Sequence, residues 1–169
     1  HRPSVLAVDG VVFDNVDALN EGASIVADGA GSVVSVLNSS FSDYGYVGVA
    51  FQLGATGVVS GSTFQGSGAF QITEYGVTIA LGSSATISGN TFRDHTGSIA
   101  PDPNFPNDKF TGAGVFVTSY DDFTDTFATA TSAKIYGNTF TSNITGIIVG
   151  AEDTNGNLDT NVSAIIRHN

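Results

Sequence analysis

A six-residue phrase recurs along the chain with the same chemistry each time. It occupies Val8–Phe13, Val36–Phe41, Val59–Phe64, Ile87–Phe92 and Ile135–Phe140, and a sixth copy, Ile166–Asn169, stops before its aromatic residue. The shared pattern is an aliphatic residue, any residue, Gly or Asn, Asn or Ser, Thr or Ser, then Phe; it is clearest in Ile87-Ser88-Gly89-Asn90-Thr91-Phe92. The anchors Val8, Val36, Val59, Ile87, Ile135 and Ile166 lie 28, 23, 28, 48 and 31 residues apart. Self-similarity at such spacings marks a stacked-repeat architecture, in which each unit buries its apolar face only against its neighbours.

A second phrase sits inside each interval: a small residue, then a short apolar run. It reads Ser24-Ile25-Val26, Gly48–Phe51, Gly76–Ile79, Gly114–Val117 and Gly146–Val149. Each unit therefore holds at least two short β-branched or aromatic runs, separated by Gly, Ser, Asn and Asp. That is strand and turn chemistry, and no apolar stripe of helical period appears anywhere. A helix-free unit of this length fits one coil of a parallel β-helix. Leucine-rich repeats need a regular leucine pattern, and propeller blades need about 40 residues. Coils would stack at about 4.8 Å. Phe13, Phe41, Phe64, Phe92 and Phe140 would then form one internal aromatic ladder and the anchors an aliphatic one. Asn90, Asn138 and Asn169 share one turn position, where Asn tolerates left-handed backbone.

The Ile-Ser-Gly-Asn-Thr-Phe and Ile-Tyr-Gly-Asn-Thr-Phe phrases at 87–92 and 135–140 resemble the repeats of right-handed parallel β-helix proteins. These include pectate lyases, polygalacturonases, alginate-modifying enzymes, phage tailspikes and many large bacterial surface proteins. The resemblance covers nearly the whole chain and rests on core and turn residues. It implies an all-β, right-handed parallel β-helix solenoid of about five to six coils over residues 1–169. It implies no particular activity, because fold does not fix function.

Three inserts, 93–112, 118–132 and 150–163, carry the individuality of the chain, and long loops on a rigid solenoid are where function concentrates. The second and third leave the same corner of adjacent coils. Stacking sets Asp121, Asp122 and Asp125 against Glu152, Asp153 and Asp159, with no Lys or Arg inside either loop. The run Asp153-Thr154-Asn155-Gly156-Asn157-Leu158-Asp159 places oxygen side chains at alternate positions, as in the first half of a calcium loop. Gly156 stands fourth rather than sixth, and no Glu closes it. One reading of these six residues is a Ca²⁺ site that rigidifies the loops; the plainer one is a solvated acidic turn. The first insert gathers Arg93, Asp94, His95, Asp102, Asp108 and Lys109. A lyase or epimerase needs a cation to neutralise a uronate carboxylate and a base for the C5 proton, roles that Arg93, His95 and Lys109 fit. A glycoside hydrolase needs two facing carboxylates. The catalytic elements of the polygalacturonases and alginate epimerases are absent. The plainer reading is a proline-broken surface loop. Tyr44, Tyr46, Tyr75 and Tyr120 are candidates for stacking on sugar rings.

Composition narrows the classes. A net charge of −11 with only five basic residues argues against nucleic acid, whose phosphates need Lys and Arg. With no Cys, disulfides and thiol chemistry are excluded. No apolar run approaches the length of a membrane span. An acidic, low-lysine chain rich in Gly and Ser fits an extracellular or cell-surface setting. The chain starts about one strand before its first anchor and stops inside the sixth, without a capping helix. The expectation is therefore a segment of a longer β-helix, or a unit that self-associates end to end into a filament. The leading functional expectation is a stalk, adhesin or polysaccharide-contacting segment, stabilised by Ca²⁺. The alternative is a polysaccharide lyase, epimerase or glycoside hydrolase.

Overall fold

The computed structural model describes residues 4–16, 22–67, 73–96, 112–121 and 124–169. Candidate residues Asp102, Asp108, Lys109 and Asp122 lie outside them. Every long strand belongs to one of three parallel sheets, and the chain visits the sheets in turn. The first sheet contains β1 (Val5–Asp9), β4 (Val33–Leu37), β7 (Thr56–Ser60), β10 (Ser84–Ser88), β15 (Thr131–Tyr136) and β18 (Val162–Arg167). The second contains β2 (Val12–Asp14), β5 (Ser40–Ser42), β8 (Thr63–Gln65), β11 (Thr91–Arg93) and β16 (Thr139–Thr141). The third contains β3 (Ala23–Asp28), β6 (Val47–Gln52), β9 (Glu74–Ala80), β12 (Gly112–Thr118) and β17 (Thr145–Val149). Each circuit through the three sheets is one coil of a parallel β-helix.

The register follows the repeat. Val8 pairs with Val36, Val36 with Val59, Val59 with Ile87, Ile87 with Ile135, and Ile135 with Ile166. The Phe rings stack face to face from Phe13 to Phe140 at centroid spacings of 4.8, 4.6, 5.0 and 5.1 Å. Offset stacking at this distance adds to the burial of large apolar rings. The small residue that opens each third-sheet run makes room for them. A Cβ built at Gly76 would meet Phe92 Cδ1 at 2.6 Å, and one at Gly114 would meet Phe140 Cε1 at 2.6 Å.

The turn between the first and second sheets departs from expectation in one respect. The left-handed residue is the one before the Asn position: Gly10, Asn38, Gly61, Gly89, Gly137 and His168 all have φ between 48° and 65°. Asn90 and Asn138 instead point inward, at 1% and 3% exposure. A side-chain oxygen at this position takes the amide of the preceding coil: Ser39 Oγ from Val11, Ser62 Oγ from Ser39, Asn90 Oδ1 from Ser62, Asn138 Oδ1 from Asn90, and Asn169 Oδ1 from Asn138. The ladder is therefore continuous through six coils, with Ser substituting for Asn. The inserts at the third-to-first-sheet corner are folded rather than loose. One contains a short antiparallel hairpin, β13 (Tyr120–Asp121) with β14 (Thr126–Phe127), and the other a Glu152–Leu158 bridge.

Candidate functional site

Along a strand, alternate side chains face opposite sides of the sheet. In the first sheet Ala85, Ile87, Ala133 and Ile135 face the core and are buried, so the residues between them face out. Register stacks those outward residues into columns. Thr56, Ser84, Ser132 and Ser163 form one, and Val58, Thr86, Lys134 and Ile165 the next. Ser60, Ser88, Tyr136 and Arg167 form a third, in which Ser88 Oγ donates to Ser60 Oγ at 3.1 Å. The first two columns line a shallow groove of about 370 Å³, with Thr56, Ser84, Thr86, Ser132, Lys134 and Ser163 among its walls. Lys134 is its one basic side chain. Tyr136, two residues further along the same face, is 46% exposed. Sequence reading did not single out Lys134 or these hydroxyls. The available signal was their recurrence at alternate positions of the first strand in successive coils.

Of the proposed catalytic residues, the two described ones, Arg93 and His95, differ in setting. Arg93 is exposed on the second sheet and donates to Gln65 Oε1 at 2.6 Å. His95 is 0% exposed. Its place, three residues after the ladder Phe, is shared by Tyr44, Ser67 and Asn143 in other coils. Asn143 Nδ2 donates to Phe92 O at 3.0 Å, which turns Asn143 Oδ1 toward His95. That oxygen accepts both the His95 amide at 3.0 Å and ring Nδ1 at 2.8 Å. Nδ1 therefore carries the proton, and Nε2 is left to accept the Tyr44 hydroxyl. Burial lowers the His95 pKa to about 4, against the upward pull of the Asn143 hydrogen bond and of Asp94. A hydroxyl, an imidazole and an orienting amide in this order have the connectivity of a nucleophile relay. Here both ends are sealed in the core, since Tyr44 is 1% exposed. Tyr44 and Tyr75 are thus buried rather than exposed candidates for sugar stacking. Tyr75 stacks on Phe116 at 4.8 Å and meets Tyr46 edge-on at 5.7 Å. Tyr120 donates to Asp125 Oδ1 at 2.8 Å.

The acidic corner does bring adjacent inserts together. Thr154 donates its amide to Asp125 Oδ1 at 3.1 Å and its hydroxyl to Asp125 Oδ2. Those bonds, with that from Tyr120, hold the Asp125 carboxyl below its ordinary range. Asp153 accepts Asn157 Nδ2 at 2.8 Å, the Asn157 amide at 2.7 Å and the Asn155 amide at 2.9 Å, and is lowered by the Asn157 contacts first. Asp159 accepts the Ser119 amide at 2.6 Å, the Ser119 hydroxyl at 2.5 Å, the Thr118 hydroxyl at 3.1 Å and the Asn161 amide at 3.0 Å. Burial pushes its carboxyl up, but these donors outweigh it and hold it down. Asp121 accepts the Thr124 hydroxyl at 2.8 Å. Among the described residues no three acidic or histidine side chains converge as the ligands of a cation would. Each of these four Asp carboxylates is held instead by protein donors.

A family model described as the right-handed β-helix region matches residues 4–163. No curated protein and no solved structure matches the chain.

Proposed function

The chain belongs to the right-handed β-helix family, and from that premise we propose that it is a non-catalytic, extracellular segment that contacts polysaccharide along the outer face of its first sheet. The observation that carries this reading is the hydroxyl-lined groove beside Tyr136. Rungs repeat there at about 4.8 Å, roughly the length of one pyranose unit, so successive coils offer equivalent hydroxyls to successive sugars. Ser and Thr hydroxyls both donate and accept, which suits a neutral ring bearing hydroxyls of its own. The exposed Tyr136 ring offers an apolar plane for the C–H face of a sugar and a polar tip for its rim. Lys134 adds one charge-assisted donor. The burial of His95 supports a binding role over a lyase or epimerase centred there, because an enclosed base cannot reach a polymer in solvent.

The test is titration with neutral and acidic oligosaccharides, followed by backbone amide shifts. Shifts are expected at Ser84, Ser132 and Lys134, with affinity about tenfold weaker in Tyr136→Ala and in Lys134→Ala. Arg93→Ala, on another face, is expected to bind as well as the parent. Shifts that cluster outside the first sheet, or none with any glycan, would refute the reading.

A further inference from the structure

The corner between the second and third sheets buries two ionisable groups from different coils. Glu74, at the start of β9, is 2% exposed, and its Oε1 accepts the Ser67 amide at 2.9 Å. His95, just after β11, is 0% exposed with both ring nitrogens occupied by Asn143 and Tyr44. Tyr44 links them: its hydroxyl donates to His95, and it lies within the field of Glu74. Among the described residues the other charged groups that act on this corner are Asp43, which bears on Glu74, and Asp94, which bears on His95. Both are acidic, and among the described residues no Lys or Arg side chain supplies either pair member with a counter-ion. A buried carboxyl without a cation is disfavoured as an anion, and a buried imidazole with its Nδ1–H committed and Nε2 occupied is disfavoured as a cation.

We propose that Glu74 and His95 form a compensated pair, both neutral while the corner is closed, whose opposite proton linkages cancel and keep the corner shut across mildly acidic pH. The signs follow from which state binds the proton. Burial raises Glu74 from 4.5 to about 7, the Ser67 bonds pulling it down and Asp43 pushing it up. The closed corner therefore binds more protons at Glu74 than the open one between those values. This contribution to closure is full below 4.5 and is lost as pH rises toward 7. His95 runs the other way, lowered by burial from 6.5 to about 4. Its contribution is full above 6.5 and is lost as pH falls toward 4. Between about pH 4.5 and 6.5, opening the corner releases a proton at Glu74 and takes one up at His95, with no net exchange.

Hydrogen exchange of the Ser67 and His95 amides reads this opening directly, because both bond to members of the cluster. After correction for intrinsic exchange, the parent opening constant is expected to change less than about threefold from pH 4.5 to 6.5. Glu74→Gln is expected to open about tenfold more per unit as pH falls through that window, and His95→Gln about tenfold more per unit as it rises. Val59 and Ile87 amides serve as references. A steep parent profile, or a flat Glu74→Gln profile, would overturn the proposal. Should His95→Gln fail to fold, carbon and nitrogen shifts of the parent decide. A Glu74 carboxyl already ionised at pH 6, or a His95 ring protonated at pH 5.5, would overturn it equally.

Discussion

Asn90 shows how much one side chain does in this fold. Its Oδ1 accepts the Ser62 amide at 2.9 Å, and its Nδ2 donates to Val59 O at 3.0 Å and to Asn138 Oδ1 at 3.0 Å. The Ser62 amide lies in the turn between β7 and β8, outside the strand ladders. A buried amide deprived of its partner costs about 1–3 kcal/mol. Asn90→Ala leaves the Ser62 amide without that acceptor, so a loss of about 1–3 kcal/mol is expected in urea unfolding. Asn90→Ser should lose less than half as much, because Ser39 and Ser62 already carry the same ladder through their hydroxyls. The neighbouring left-handed residue has a separate role. Gly89 sits at φ 63°, and a Cβ there would meet only Gly61 N, at a relaxed 4.0 Å. Gly89→Ala is therefore expected to cost about 1 kcal/mol through backbone strain alone, measured in the same assay. Equal losses for Asn90→Ala and Asn90→Ser would mean that the oxygen acceptor is not what matters at this position.

At the scale of elements, the two corner inserts are fastened by Asp159, which collects four donors from Thr118, Ser119 and Asn161. They are shared between its two oxygens, of which an Asn at this position would keep only one as an acceptor. Because this carboxyl is held below its ordinary range, its contribution is present above the usual carboxylate pKa of about 4 and is lost as pH falls through the folded value. Asp159→Asn is therefore expected to melt below the parent at pH 7, with the gap closing in acid. With Asp125, Asp153 and Asp159 already held by protein donors, millimolar Ca²⁺ and EDTA are expected to leave the melting temperature unchanged. A Ca²⁺-dependent rise that Asp153→Ala abolishes would make the corner a cation site instead. The sequence made part of this legible. Counting from the repeat put the two acidic inserts side by side, as the Thr154–Asp125 bonds bear out. It could not show that Ser119 and Thr118, at the end of a neighbouring strand, satisfy Asp159. His95 was misread for a similar reason. Its charged neighbours in sequence suggested a surface loop, whereas its offset from Phe92 matches that of Tyr44 from Phe41 and belongs inside. The groove stayed hidden because a column of hydroxyls exists only once coils are in register.

Among the described residues the coils stack with different strands outermost at each end. Each strand in the middle of a sheet is paired on both sides, but β1, β2 and β3 close one end and β16, β17 and β18 the other. Apolar side chains are exposed there: Val5 at 80% and Val12 at 71% on the first, Ile144 at 53%, Ile165 at 51% and Ile166 at 47% on the second. Unpaired parallel edges with exposed aliphatic residues are templates for further strands. The two ends differ, so a contact between copies would be head to tail, and such contacts propagate rather than close. Against this stands a net charge of −11, which repels a second copy and is screened by salt. The 169-residue chain on its own is therefore expected to associate with concentration, more at 0.5 M than at 0.05 M salt, as read by sedimentation. Val12→Lys places a charge on one edge while leaving the Phe ladder in place, and is expected to suppress that association without lowering the melting temperature by more than a few degrees. A parent that remains monomeric at high salt and millimolar concentration would show that these edges are too twisted or too charged to pair.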